Sequence, residues 1–272
     1  MRRGSSGHGR MAVGRALGHG LACAIALLAP AAAWAWGDLL LLDPPPDHTK
    51  SAAGAAVLMM PRAPGTASPR IMALPALDLA GSSGWFISTD SGVGWNLSSR
   101  ADWQAGWRLW PQFGRDAAAS PVGVRPIGDR LQAEWFANWA PNDAVLLQSA
   151  VLNGAGRSHN GLHAEWGVTS GVPLGGELVG VGLSVSWANG RWRNSYYGVS
   201  DAESVASGLR PWSLAGGWQD AAVTVSTEHR FDDHWRVTGQ WIRARLLGRS
   251  AESPLTRARW QGGGSVSLLR DF

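Results

Sequence analysis

Residues Gly84–Ser98 read GWFISTDSGVGWNLS, and their side chains alternate with a period of two. The odd positions of this stretch hold Trp85, Ile87, Thr89, Val93, Trp95 and Leu97. The even positions include Ser88, Asp90, Gly92, Gly94, Asn96 and Ser98. Successive side chains of a β-strand point to opposite faces, so a period of two indicates β-structure. The stretch therefore predicts a strand with one apolar face and one small or polar face.

The same alternation returns in later segments of the chain. These segments are residues 103–112, 130–139, 161–169, 179–187, 223–228 and 235–241. A soluble β-sandwich alternates in this way with its apolar faces turned inward. A transmembrane β-barrel alternates in the opposite sense, with its apolar side chains facing lipid. Alternation alone leaves both architectures open.

Two further features favour the barrel. Tryptophan falls near the ends of the alternating segments, as an interfacial aromatic girdle requires; these residues are Trp85, Trp103, Trp139, Trp187, Trp235 and Trp260. The chain also ends in Phe272, which follows Val266 and Leu268 in an amphipathic final segment. A terminal aromatic residue of this kind resembles the sorting signal of outer-membrane proteins, so we predict that Phe272 is the terminal sorting residue.

The sequence thus predicts an all-β fold, a transmembrane antiparallel β-barrel of about 12 strands, with about 10 as the alternative. Eleven strands can be counted from near Ala52 onward. An even total requires either another strand near Trp36–Leu42 or the removal of one of the first two. Short turns and long connections interleave along the chain, and the long ones are residues 115–129, 153–160, 191–216 and 248–257. Short turns belong on the periplasmic side of such a barrel and long loops outside.

The first 35 residues resemble a cleaved signal peptide, with four arginines, an apolar run and an A-x-A site at Ala33–Ala35. Either Met1 or Met11 fits the start of this signal. We divide the chain into a signal peptide (1–35), a proline-rich N-terminal segment with one strand of its own (36–70) and an outer-membrane β-barrel (71–272). Removing four of the 24 basic side chains leaves 20, equal to the 20 acidic ones. The mature chain therefore lacks the basic excess that nucleic-acid binding requires.

Candidate catalytic and metal-binding groups are few. His159 and His163 lie four residues apart, which on a strand separates them by about 13 Å, too far for one metal ion. Ser184 and His163 fall on neighbouring predicted strands, but no orienting partner accompanies them. We therefore predict no enzymatic activity, no catalytic residues, no metal and no cofactor.

A family resemblance rests mainly on the second half of the chain. Residues 196–209 read YYGVSDAESVASGL, and similar pieces occur at Gly114–Asp116 (GRD) and at 251–254 (AESP). These motifs resemble the MltA-interacting protein family, also called MipA/OmpV. The resemblance implies an outer-membrane barrel of a Gram-negative bacterium that contacts membrane lipid. It also implies a scaffold role in which a lytic transglycosylase and a penicillin-binding protein are linked. The candidate partner loop comprises Tyr196, Tyr197, Gly198, Val199, Ser200, Ser207, Gly208 and Leu209.

Two other functions remain open at this point: a small-solute or ion channel and a surface adhesin. Inward-facing charges of both signs favour a filled interior over a wide channel; they are Arg108, Arg130, Arg236, Glu134, Glu165 and Glu228. The connection 191–216 offers a short helix over Ala202–Ser207. That connection would either meet an external partner or fold over the lumen as a cap.

Overall fold

The computed structural model describes residues 45–174 and 177–272, which form a closed antiparallel barrel of twelve strands. The strands are β1 (Lys50–Pro61), β2 (Pro69–Ala80), β3 (Trp85–Ser88), β4 (Gly92–Asn96), β5 (Trp103–Gln112), β6 (Arg130–Asn142), β7 (Val145–Ala155), β8 (Gly161–Leu174), β9 (Glu177–Ala188), β10 (Gly217–Arg230), β11 (Trp235–Leu246) and β12 (Trp260–Asp271). The described helices are α1 (Gly190–Tyr197), α2 (Asp201–Ser207) and α3 (Gly248–Ala251). The fold class and a count of twelve strands are confirmed.

The twelfth strand lies in a segment for which the sequence predicts a single strand. Gly84–Ser98 is not one strand but a short hairpin, β3 and β4, in which Trp85 lies opposite Trp95. An even strand count therefore requires neither an added strand near residues 36–42 nor the removal of one of the first two strands. Residues 36–42, one of those alternatives, lie outside the described residues. Strand β1 lies within the proline-rich segment and pairs with both β2 and β12.

The barrel wall buries its polar face and exposes its apolar face. On β6, for example, Gln132 and Glu134 are buried, whereas Leu131 and Trp135 are exposed. In water, large apolar side chains prefer burial, so a barrel with this inverted pattern fits an acyl-chain environment outside its wall. The predicted orientation of the two faces is therefore confirmed.

The three longest connections, residues 113–129, 189–216 and 247–259, all lie at one end of the barrel. The end of the barrel with the short connections, here the turn end, carries residues 81–84, 97–102, 143–144 and 231–234. The opposite end, here the loop end, carries residues 62–68, 113–129, 156–160, 189–216 and 247–259. The three-residue turn 89–91 between β3 and β4 points toward the loop end but lies well below it, because both strands are short.

Charged side chains cross-link the barrel interior, as the inward-facing charges predict. The guanidinium of Arg108 on β5 donates to the Glu134 carboxylate on β6 at 2.7 Å, and both side chains are fully buried. Near the turn end, Arg236 contacts Asp78 at 2.7 Å and Asp271 at 3.3 Å. The first pair joins the neighbouring strands β5 and β6, whereas Arg236 links β11 to its neighbour β12 and to β2, three strands away. In each pair one charge compensates the desolvation of the other.

Candidate functional site

The mouth of the barrel at its loop end is closed by helix α1. Asn189 begins the helix, because its side chain accepts a hydrogen bond from the backbone N–H of Trp192 at 2.9 Å. Three aromatic side chains of this helix, Trp192, Tyr196 and Tyr197, are almost completely buried. Trp192 stacks on His163 of β8 with ring centroids 5.1 Å apart. The helix therefore inserts its aromatic face into the mouth.

The aromatic residues of α1 join an apolar cluster that fills the upper lumen. Side chains from β1, β11 and the loop 113–129 contribute to it, including Leu58, Met60, Ile127, Ile242 and Leu246. Interior positions of a narrow barrel are polar by default, so an apolar cluster at one end requires an apolar insert to cover it. Burial raises the pKa of the Tyr196 and Tyr197 hydroxyls well above the ordinary value, so both remain neutral.

Helix α1 is held in place by the guanidinium of Arg193. Its Nε and Nη2 atoms donate to the Ser250 hydroxyl at 3.2 and 3.1 Å, and Nη1 donates to the Ala215 carbonyl at 2.8 Å. The Ser250 hydroxyl in turn donates to Gln219 of β10 at 2.9 Å. Burial lowers the pKa of Arg193 from its ordinary value. This chain of bonds connects α1 to the loop 247–259 and to the barrel wall.

Helix α2 is built around a capping box. The Ser200 hydroxyl accepts from the backbone N–H of Glu203, and the Glu203 carboxylate accepts from the backbone N–H of Ser200 at 3.1 Å. Gly208 ends the helix in the left-handed conformation, with φ of 74°. The structure thus confirms a short helix in this part of the loop, one residue longer than the predicted range 202–207.

Glu203 also joins three loops of the mouth. Its carboxylate lies 2.9 Å from the Arg157 guanidinium and accepts from the backbone N–H of Arg125 at 3.2 Å. Burial opposes ionisation of this carboxyl group, but the hydrogen bonds from Ser200 and Arg125 and the charge of Arg157 prevail, and they lower its pKa to about 2. Glu203 is therefore an ionised residue that joins the loops 113–129, 156–160 and 189–216. We call these three loops and the loop 247–259 the mouth cap.

Arg115 supplies a second connection beneath the cap. It is buried, and its guanidinium donates to the Tyr196 carbonyl at 2.9 Å and to the Arg125 carbonyl at 3.4 Å. Burial lowers its pKa to about 10, with the nearby charge of Arg157 acting in the same direction. Arg115 belongs to the GRD motif, which therefore holds the Tyr-Tyr segment in the mouth.

The turn end carries an exposed polar surface around the β10–β11 turn. His229 lies 2.5 Å from Glu177, and Arg230 lies 3.1 Å from Asp271. Phe231 is 59% exposed at the tip of this turn. We call residues 229–234 the turn surface.

A family model described as MltA-interacting protein MipA matches residues 53–272. The chain belongs to this family. Within it, the chain is 33% identical over 98 residues to the MltA-interacting protein of Escherichia coli strain K12, which covers 36% of this chain and 39% of that protein. The MltA-interacting protein of Shigella flexneri gives the same identity and the same coverage. The alignment thus spans well under half of the length of these relatives.

Two solved structures illustrate the similarity in three dimensions. An outer-membrane channel of Pseudomonas putida F1 aligns with 84% of this chain and 97% of its own, with a TM-score of 0.43 and 10% identity. A Pseudomonas aeruginosa FadL homologue aligns with 90% of this chain and 99% of its own, with a TM-score of 0.34 and 10% identity.

The MipA family motif in residues 196–209 divides into a buried and a more accessible part. The structure buries Tyr196, Tyr197, Gly198 and Val199, whereas Ser200 and Gly208 are exposed and Ser207 and Leu209 are half-buried. The first four residues therefore pack within the mouth cap. The largest exposed apolar side chain of α2 is Val205, at 89% exposure, which does not belong to the predicted set.

The remaining sequence-predicted groups lie apart from one another. His163 is buried beneath Trp192, while His159 has a positive φ of 55° in the loop 156–160. Among the described residues, no group of three or more potential ligands could hold a metal ion. None of the described helices is long and apolar enough to cross a membrane. The sorting residue Phe272 stays a prediction; its backbone N–H donates to Ser51 of β1 at 2.9 Å.

Proposed function

We propose that this MipA-family barrel is an outer-membrane binding protein that contacts a lytic transglycosylase from its periplasmic end. The name of the family supports the enzyme class of the partner. Murein lies on the periplasmic side of the outer membrane, so an enzyme that cleaves it reaches the short connections of the barrel rather than its long loops. At that end the turn surface carries the exposed side chain of Phe231 beside His229 and Arg230.

The observation that carries this proposal is the filled and capped interior. Helix α1 inserts Trp192, Tyr196 and Tyr197 into the mouth, and the fully buried pair of Arg108 and Glu134 occupies the lumen side of the neighbouring strands β5 and β6. A barrel that is closed in this way supports binding at its surface better than passage of solutes through its axis. The scaffold function is therefore favoured over the channel, and binding over catalysis. A penicillin-binding protein as second partner belongs to the same proposal.

The channel alternative has its own test. The purified wild-type protein is inserted into planar lipid bilayers, and single-channel current is recorded. We expect no stepwise conductance from the wild-type protein. Frequent large conductance steps from the wild-type protein would overturn the closed-barrel argument and favour the channel.

The partner is tested with matched variants at the two ends of the barrel. Phe231→Ser changes an exposed side chain of the turn surface, and Val205→Ser changes a more exposed one at the loop end. Each variant serves as bait for a lytic transglycosylase in detergent extracts of the native cell envelope. We expect recovery of the enzyme to fall with Phe231→Ser and to persist with Val205→Ser. The opposite pattern would place the contact at the loop end, and failure of the wild-type bait would refute the partner.

A further inference from the structure

One sector of the barrel wall is incomplete on the side of the loop end. Strands β3 and β4 have 4 and 5 residues, whereas the flanking strands β2 and β5 have 12 and 10. Strand β3 pairs with β2 only over Asp78–Ala80, and β4 pairs with β5 only over Gly106–Leu109. Above the turn 89–91, β2 and β5 form no ladder with each other. Two strand widths are therefore missing from the wall there, and we call this gap the notch.

The two edges of the notch carry prolines whose ring nitrogens face it. The backbone N–H and C=O of Leu77 both bond to Thr89 of the hairpin, so the odd residues of β2 direct their backbone groups toward the notch. Pro69 and Pro75 share this parity. On β5, Ala105 accepts from Leu97 of the connection below β4, which gives Pro111 the same orientation.

Proline at these positions has a physical consequence for what can occupy the notch. Each proline removes one N–H donor from its edge and thereby disfavours pairing with an added strand, and within sheets proline is found mainly on edges. An unpaired backbone N–H in hydrocarbon costs several kcal/mol, so removal of three donors makes an edge tolerable next to lipid. The prolines thus disfavour a protein strand as occupant and favour an apolar one.

The lower border of the notch is fixed by hydrogen bonds. The Thr89 hydroxyl donates to the Pro75 carbonyl at 2.8 Å, and Arg108 donates to the Ser91 carbonyl at 3.3 Å. These bonds tie the hairpin tip to β2 on one side and to the buried arginine of β5 on the other. The hairpin therefore ends at a defined height and does not extend upward to fill the gap.

The upper border of the notch is charged. Arg62 and Arg70 lie 3.5 and 3.3 Å from the Asp116 carboxylate, and the Arg70 guanidinium lies over the ring of Phe113 at 5.6 Å. Arg62 remains almost half exposed. These contacts join the outer end of β2 to the loop 113–129 above β5. Two guanidinium groups and the Asp116 carboxylate between them thus border the gap from above.

The β2 side of the inner surface behind the notch is apolar. Met72 and Leu74 of β2 are only partly buried, and with Phe113 they pack against the apolar cluster of the upper lumen. Ile71, which faces outward on the same edge, is 66% exposed. The gap therefore has an apolar inner surface on its β2 side, prolines on both edges, and two arginines paired with Asp116 above.

We propose that the notch is a lateral binding site for an acyl chain of an anionic membrane lipid, whose phosphate lies beside Arg62 and Arg70. The chain enters from the bilayer and contacts Met72 and Leu74, which a complete wall would separate from lipid. The site is independent of the proposed periplasmic partner, since it lies at the opposite end of the barrel.

The test uses single cysteines, because Cys23 is the only cysteine of the chain and lies in the predicted signal peptide. Leu74→Cys places a thiol behind the notch. The matched control Leu58→Cys places one on β1, on the same lumen-facing side and behind a wall that β2 and β12 both complete. Each variant is labelled with a small fluorophore and reconstituted in bilayers that contain phosphatidylglycerol with a spin label on its acyl chain.

We expect strong quenching of the fluorophore at position 74 and little at position 58. Arg62→Gln combined with Arg70→Gln should weaken the preference of the site for phosphatidylglycerol over phosphatidylcholine by about five-fold for each arginine. Heat-modifiable mobility on gels verifies that every variant is folded.

Equal quenching at the two positions would overturn the notch as a lipid site. Quenching by added spin-labelled fatty acid in neutral bilayers, with none from the anionic lipid, would overturn the lipid as occupant. Absence of quenching at high protein density, with quenching restored when the protein is diluted in the bilayer, would instead assign the notch to a second copy of the chain.

Discussion

Replacement of Glu203 by glutamine tests whether the mouth cap depends on one ionised group. The carboxylate accepts from the backbone of Ser200 at 3.1 Å and from the backbone of Arg125 at 3.2 Å, and it contacts Arg157 at 2.9 Å. Glutamine keeps one acceptor oxygen but loses the charge. A hydrogen bond to a charged group contributes about 1.5–3 kcal/mol, so we expect the closed cap to lose about 2 kcal/mol.

A loss of about 2 kcal/mol corresponds to a roughly 30-fold rise in the population of the open cap. Amide hydrogen exchange of the peptide 196–209 in detergent micelles measures this population, because local opening limits exchange of protected amides. The control is Asp201→Asn, an exposed residue in the first turn of the same helix that lies outside the network. Strand amides should keep their protection in both variants. Unchanged protection of 196–209 in Glu203→Gln would refute the role of Glu203 as the anchor of the cap.

Three further predictions concern the pH dependence of the mouth cap, the charge pair in the lumen and the junction of β1 with β12, here called the seam. Because the folded pKa of Glu203 is about 2 and its ordinary value is 4.5, cap protection should be complete above about pH 4.5 and fall as the pH drops toward 2; exchange corrected for its intrinsic rate should lose this dependence in Glu203→Gln. Arg108→Met leaves Glu134 buried without its cation and should cost about 3–5 kcal/mol in urea unfolding, and adding Glu134→Leu should restore most of it; an equal loss in the double variant would contradict the pairing argument. Gly54→Ala places a methyl group against the Leu268 carbonyl across the β1–β12 seam and should reduce the folded fraction on gels, whereas Gly128→Ala meets nothing within 4 Å and should not; equal effects would show that the seam is not tightly packed.

The sequence predicts the wall of this barrel well because a wall has only two environments. A side chain such as Trp135 or Glu134 faces either lipid or lumen, and the period of two separates the two faces directly. The same regularity hides the hairpin of β3 and β4. Directly opposite residues such as Trp85 and Trp95 share a face, and both carry odd numbers. The alternation therefore passes unchanged through the reversal of the chain, and one strand is predicted where two exist.

The mouth cap could be predicted only in outline. The capping box of Ser200 and Glu203 and the terminal Gly208 are local signals, and they mark helix α2 correctly. The burial of Tyr196 and Tyr197 depends on residues distant in sequence, such as Arg115 and Ser253, which donate to the carbonyls of Tyr196 and Tyr197. The motif that suggests a partner loop is thus compatible with an internal packing role, and no local pattern distinguishes the two. For α1, the local signal in the sequence is Asn189, whose side chain caps the helix.

The pairing of β1 with β12 places the two ends of the described sheet side by side. Ala52 lies opposite Asp271, and the backbone N–H of Phe272 donates to Ser51. The barrel therefore closes only when the last strand pairs with β1, and a chain that lacks this strand has two unpaired sheet edges. Such a chain would expose unpaired backbone N–H and C=O groups along both edges, each of which costs several kcal/mol in hydrocarbon. The pairing of β1 with β12 thereby makes the stability of the whole cylinder depend on its last strand.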